Sequence, residues 1–312
     1  MRRVAALLAA ALLGAGLFGC GGGGAEPGAP QGATLVLDFQ PNAVHAGIYA
    51  AQANGYFKDA GVDLTIQEPS STADSAKLLE AGRADFAVMD ISDFGIARER
   101  GLDLVAIAAI VQRPLAAVIA RDRNAIRTPA DLAGKTIGVT GVPSDDAVLD
   151  TVLRSGGADP SSVHPVTIGF NAVADLAAGK VDAATAFWNA EGVQLQRQGI
   201  PIREFRVDQF GAPRYPELLL VAKAGNEQLG AQVSAALGRG YRVLGQQPQK
   251  ALDDLLAQVP GLDRSAQLAE LQSLTSSHAF SLGGVTATPD LRRGSIESWR
   301  AWALRSGLLG GG

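Results

Sequence analysis

The 312 residues include one cysteine, two methionines, three histidines and three tryptophans, and aromatic side chains make up only 5% of the chain. A lone cysteine has nothing to pair with inside the chain, so no internal disulfide staples the fold and packing must hold it. His45, His164 and His278 are dispersed, and no clustered metal-ligand spacing occurs, so neither a metal ion nor another cofactor is expected. No basic stripe is present either. Lys and Arg number 27 against 31 Asp and Glu, a formal charge of −4, and the footprint of a nucleic-acid binder is missing. The chain also lacks G-x-S-x-G, H-E-x-x-H and G-x-x-x-x-G-K-[ST], the signatures of three common catalytic or phosphate-binding sites. With so few aromatics, each one at the end of a strand carries more weight.

What is present begins at the N-terminus. Arg2 and Arg3 precede an almost wholly apolar run from Val4 to Phe18, too short and too rich in Gly and Ala for a spanning helix. This is the layout of an export signal. The run ends in Leu17-Phe18-Gly19-Cys20, which resembles a bacterial lipobox, so residues 1–20 read as a signal peptide with Cys20 as the lipidated residue. Residues 21–32, GGGGAEPGAPQG, lack apolar periodicity and read as a flexible tether to a membrane anchor.

From Ala33 onward, short β-rich runs alternate with helical stretches. TLVLDF, VDLTIQ, ADFAVMD and DLVAIAAIV form one series, and LAAVIAR, KTIGVTG, VHPVTIG, VDAATAF, IREFRV and ELLLVAK form a second. Strands of this length alternating with helices predict an α/β fold with helices on both sheet faces. The phrase LLEAGRADFAVMD (78–90) is echoed by DLAAGKVDAATAF (175–187), with Gly82 and Gly179 each placed to end a helix in the left-handed conformation. The echo predicts two similar lobes, and ligands of open α/β sheets sit beyond the carboxyl ends of strands.

Three stretches carry candidate site residues. In LDFQPNAVHAGIY the first strand ends near Phe39, Pro41 breaks it, and Asn42 stands at the start of a helix. Asp38, Phe39, Asn42, His45 and Tyr49 would cluster at that corner. Asn42 and His45 are equally suited to capping and packing, and Phe39 to the core. In the second stretch, Gly141, Val142, Pro143 and Ser144 lead into a helix that opens with Asp145 and Asp146. A glycine there lets backbone approach a ligand closely, and the two acids argue against a phosphate. The third is Phe187-Trp188-Asn189-Ala190-Glu191-Gly192, where an aromatic, an amide and a carboxylate follow a strand. The carboxylate would accept hydrogen bonds from an exocyclic amine, and Trp188 would stack on a ring. Tyr215 in GAPRYPELLL stands where the chain would cross between lobes, at the hinge or in the cleft. Trp299 and Trp302, three apart on a helix, read as core.

The first of these stretches, together with EPSS (68–71), GRADFAVMD (82–90), DLAGKTIGV (131–139), GVPSDDAVLD (141–150), GKVDAATAFWNAEGVQL (179–195) and DQFGAPRYPELLL (208–220), resembles the NMT1/THI5-like solute-binding proteins over roughly residues 33–309. The resemblance implies a two-lobed periplasmic-binding-protein fold of type II, with mixed, mostly parallel sheets and two hinge crossings. The first lobe would comprise 33–113 plus 217–312, and the second 114–216. It adds Ser70 and Asp90 to the candidate residues. It also implies a monomeric receptor outside the membrane that hands a small molecule to the permease and ATPase of an ABC importer. The branch most similar to the chain binds thiamine pyrimidine precursors such as formylaminopyrimidine or hydroxymethylpyrimidine; others take riboflavin or sulfonates. The family's usual tryptophan at the first aromatic position is Phe39 here. Phe39 and Trp188 would then sandwich the ring. Related pyrimidine synthases hold pyridoxal phosphate on a lysine and consume a histidine; Met89 and Asp93 stand at those positions, so the resemblance implies no enzyme.

Overall fold

The computed structural model describes residues 30–70, 74–122, 125–280, 291 and 293–310. The apolar leader, Cys20 and most of the expected tether lie outside the described residues. The first strand starts at Gln31, so the last two residues of that tether are already paired into a sheet.

Ten strands follow the expected order. Before the first crossing come β1 (Gln31–Val36), β2 (Val62–Gln67), β3 (Phe86–Asp90) and β4 (Leu104–Val111). Then come β5 (Ala116–Arg121), β6 (Thr136–Val139), β7 (His164–Thr167), β8 (Ala183–Phe187) and β9 (Ile202–Arg206), and the chain returns as β10 (Leu218–Lys223). One sheet has the order β2-β1-β3-β10-β4 and the other β7-β6-β8-β5-β9. In each, the strand fourth in order is reversed: β10 runs antiparallel to β3 and β4, and β5 antiparallel to β8 and β9. The reversed strand is in both cases the one delivered by a crossing, so the two sheets are topological copies. Residue type follows position. Central β10 (LLLVAK) is buried at five successive residues, whereas edge strand β2 (VDLTIQ) alternates inward Val62 and Leu64 with exposed Asp63 and Thr65.

The repeated phrase is a repeated structure. Gly82 (φ +64°) and Gly179 (φ +72°) both end their helices in the left-handed region. Asp85 then accepts the Thr34 N–H at 2.8 Å, and Asp182 accepts the Thr136 N–H at 3.0 Å, each clipping a third strand to a first.

Two further features position the cleft. The helix Glu227–Gln246 lies on the helix Ala46–Ala53, and a Cβ on Gly240 would overlap the Gly47 carbonyl oxygen, so only glycine permits that approach. The Tyr241 hydroxyl reaches the Val44 carbonyl at 2.9 Å and fixes the corner after β1. The crossings are the links 112–115 and 207–217. They are tied together: Leu115 N–H donates to Glu217 at 2.6 Å, and Arg113 pairs with Asp208 at 2.8 Å. Trp299 and Trp302 are buried as expected, but the C-terminal helices touch both lobes: Trp302 Nε1 donates to Thr151 of the second lobe at 3.0 Å. No helix among the described residues is long and apolar enough to cross a membrane.

Candidate functional site

A cleft opens between the carboxyl ends of the two sets of strands. From the first lobe it is lined by Asp38, Phe39, Asp90, Ser92 and Asp93, and from the second by residues that include Val142, Ser144, Asp145, Phe170, Phe187 and Glu191. Tyr215 and Glu217, on the second crossing, line it too. Of the expected residues, Asp38, Phe39, Asp90, Val142, Ser144, Glu191 and Tyr215 therefore meet in one place. Tyr215 is at once hinge and wall, stacked on Trp302 with ring centroids 5.6 Å apart.

The other expected residues are elsewhere, each for a physical reason. Asn42 caps the turn Ala43–His45: its side chain accepts the Val44 N–H at 2.9 Å, and His45 Nδ1 accepts the Asn42 N–H in return. That second bond makes Nε2 the protonated nitrogen, which donates to Asp38 at 2.9 Å. His45 thus orients a cleft carboxylate from behind, fully buried. Tyr49 is buried in the core, its hydroxyl pushed up to about 12 by burial and by Glu68. Ser70 is exposed beside a separate hollow with Glu68 and Lys77. Gly141 (φ +97°) shapes the loop and gives its N–H to Asp145, and Pro143 lines a neighbouring hollow rather than the cleft.

The expected sandwich of Phe39 and Trp188 is not formed. Trp188 has no exposed surface; its Nε1 donates to the Pro114 carbonyl at 3.0 Å and the Arg206 guanidinium covers its ring at 4.1 Å. Trp188 begins a wide π-helical turn (Trp188–Gly192) instead of a regular helix, and Asn189 is buried with it. The ring opposite Phe39 is Phe170, edge-on at 5.1 Å and 53% exposed.

The electrostatics are one-sided. Six carboxyls line the cleft, Asp38, Asp90, Asp93, Asp145, Glu191 and Glu217, with no Lys, Arg or His lining it among the described residues. Their states differ. Asp145 accepts four hydrogen bonds, from Thr140 (2.8 Å), Gly141 (2.8 Å), Val142 (3.1 Å) and Thr185 (2.6 Å). Asp90 is pushed well above the carboxylate range by burial, and further by Glu217, Asp93 and Asp38; it keeps its proton and donates it to Glu217. Burial likewise lifts Glu217 to about 7, although the Leu115 and Ala116 N–H groups oppose the shift. Asp93 rises to about 6 through burial and the nearby charges of Asp145 and Asp38. Glu191 is raised by burial, against which its own N–H and that of Phe187 (3.0 Å) hold it. The reading of sequence missed Asp93, Asp145, Phe170, Thr185 and Glu217. Glu217 left one trace: an acid entering an otherwise apolar strand run.

Relatives fit this architecture. The chain is 33% identical over 227 residues to the formylaminopyrimidine-binding protein of Halalkalibacterium halodurans, covering 71% of this chain and 69% of that one. It is 28% identical over 185 residues to a 4-amino-5-hydroxymethyl-2-methylpyrimidine phosphate synthase of Saccharomyces cerevisiae, covering 57% of this chain and 54% of the yeast protein. In fold it is similar to the alkanesulfonate-binding protein SsuA of Xanthomonas axonopodis pv. citri bound to MOPS, with TM-score 0.70, 19% identity, and coverage of 90% and 94%. The family model described as "NMT1/THI5 like" matches residues 42–251. With two thirds of its length inside that match, and with two mixed sheets facing one cleft, the chain belongs to the NMT1/THI5-like family.

Proposed function

We propose that the chain is the extracytoplasmic receptor of an ABC importer, capturing a thiamine pyrimidine precursor such as formylaminopyrimidine or hydroxymethylpyrimidine between its lobes. The observation that carries the reading is the composition of the cleft: six carboxyls and four aromatic rings (Phe39, Phe170, Phe187, Tyr215), with no cationic residue lining it among the described residues. Flat rings prefer aromatic walls, and exocyclic amines donate to carboxylates at about 1.5–3 kcal/mol per charged hydrogen bond. A sulfonate would meet negative charge from both lobes and no counter-ion, so the sulfonate alternative is disfavoured. Riboflavin's ring carries no exocyclic amine to meet the same carboxylates.

A synthase reading finds no support in the residues. Met89, at the position of the synthases' lysine, is a buried thioether without an amine for a pyridoxal aldehyde, so that cofactor does not fit and no step is derived through it. Anchoring through Cys20, export and hand-over to a permease and ATPase by a monomer remain part of the proposal, supported by the leader sequence and by the kind of protein the relatives are.

Calorimetric titration of the full-length chain with formylaminopyrimidine, hydroxymethylpyrimidine, riboflavin and taurine tests the reading. Saturable heat with a pyrimidine alone is the expected result. Saturation with taurine alone would overturn the ligand class, and silence across the panel would overturn the ligand assignment altogether.

A further inference from the structure

A second carboxyl, on a helix packed against the Glu191 turn, feels the Glu191 charge. Glu270 lies on the helix Arg264–Ser276, which packs against the first lobe's turn at Ala43–His45 and also against the second lobe's Trp188–Gly192 turn and Val193–Arg197 helix. It is 1% exposed. Three oxygens along this seam have no hydrogen-bond partner: Asn189 Oδ1, Gln267 Oε1 and Glu270 Oε2. All three are acceptors and all are buried, so the seam lacks a donor. A proton on Glu270 is a donor the sequence can place there.

The charges facing Glu270 say which of the two carboxyls holds the proton. Glu191 has two backbone N–H groups on its side. Glu270 receives the Ala43 N–H, a Gln194 side-chain hydrogen bond and a long 3.5 Å contact from Gln267. Arg197 is the nearest cation, but its guanidinium is engaged by Ser265 (2.6 and 2.9 Å) and Asp263. From the Ala43–His45 turn, His45 is committed to Asp38. From the packed helix Pro248–Gln258, Lys250 pairs with Asp254 and Asp253 with Arg264. No free cation on these elements offsets two carboxylates together. Burial first, and then the charge of Glu191, lift Glu270 to about 7.

We propose that Glu270 is a positioning residue that holds a proton in the seam against Glu191, leaving Glu191 as the ionised partner that faces the ligand and letting the lobes meet over one carboxylate instead of two. The proposal rests on reading the cleft as a ligand-capture site. Ionising Glu270 puts a second negative charge in the dry seam and loosens closure, so ligand affinity falls as pH rises through that ionisation.

Two measurements decide it. In the ligand-free full-length chain labelled with ¹³C at glutamate carboxyls, the resonance lost in Glu270→Gln is expected to titrate at about 7 and to move down toward the ordinary range in Glu191→Gln. A resonance that titrates in the ordinary range with or without Glu191 overturns the proposal. In calorimetric titrations with hydroxymethylpyrimidine, the wild-type affinity is expected to fall about tenfold between about pH 6 and pH 8, and Glu270→Gln to lose that slope. Parallel profiles for the two proteins overturn the coupling to capture. Absence of binding defeats the receptor reading instead, and the carboxyl titration then decides the state of Glu270 by itself.

Discussion

The two lobes share a topology strand for strand, yet they supply the cleft with carboxyls in opposite conditions. After β6, Asp145 is saturated by four donors and locks its own loop. After β3, burial raises the affinity of Asp90 and Asp93 for protons, and Asp93 faces the charges of Asp145 and Asp38 besides. The second lobe therefore uses Asp145 to build the site, and the first lobe stores unsatisfied charge in Asp93. Unsatisfied charge lowers stability and is retained where a ligand will use it.

The largest break in this comparison is Asp145→Ala. It strands four donors and releases the loop, and a loss of about 3 kcal/mol, read by urea denaturation, is expected. The opposite sign is expected for Asp93→Asn. A carboxyl whose folded pKa is raised, here from the ordinary value to about 6, stabilises the fold below its unfolded pKa, and that contribution is lost as pH rises through about 6. At pH 8 the variant should thus be more stable than the wild type by about 1–2 kcal/mol after allowance for solvent screening, with the gap closing near pH 4. Equal stabilities at both pH values would show that the first lobe stores no charge. The smallest pair separates cleft from scaffold. Glu191→Gln should weaken an amine-bearing pyrimidine about tenfold in calorimetry with little change in melting. Asn42→Ala should do the reverse, lowering stability by about 1 kcal/mol through the lost cap and leaving binding nearly intact.

That last pair shows where sequence reading stopped. All ten strands were legible because short apolar runs alternate with helical ones, and the 78–90 and 175–187 echo is a true structural repeat, with Gly82 matching Gly179 and Asp85 matching Asp182. The strand ends that form the cleft were legible for the same reason. Which side chains point into it was not. Asn42, His45 and Trp188 are polar or aromatic residues in the right loops, but each spends its hydrogen-bonding atoms on neighbouring backbone or on a carboxylate. Phe170 and Glu217, by contrast, reach the cleft only through tertiary packing: the turn after β7 brings one opposite Phe39, and the return crossing brings the other beside Asp90. A residue's type does not disclose which of these fates it meets.

The anchoring of Trp188 to the first crossing has a mechanical consequence. Its N–H binds the Leu115 carbonyl at 3.1 Å and its indole binds that of Pro114, so the turn carrying Glu191 is fastened to the first crossing between the lobes. Points at a pivot travel least, and points at the rim travel furthest. On the proposed reading of capture by lobe closure, Glu191 would therefore move little and would meet the polar edge of a ring first. On the same reading Phe170, 53% exposed, would travel further and close over that ring afterwards.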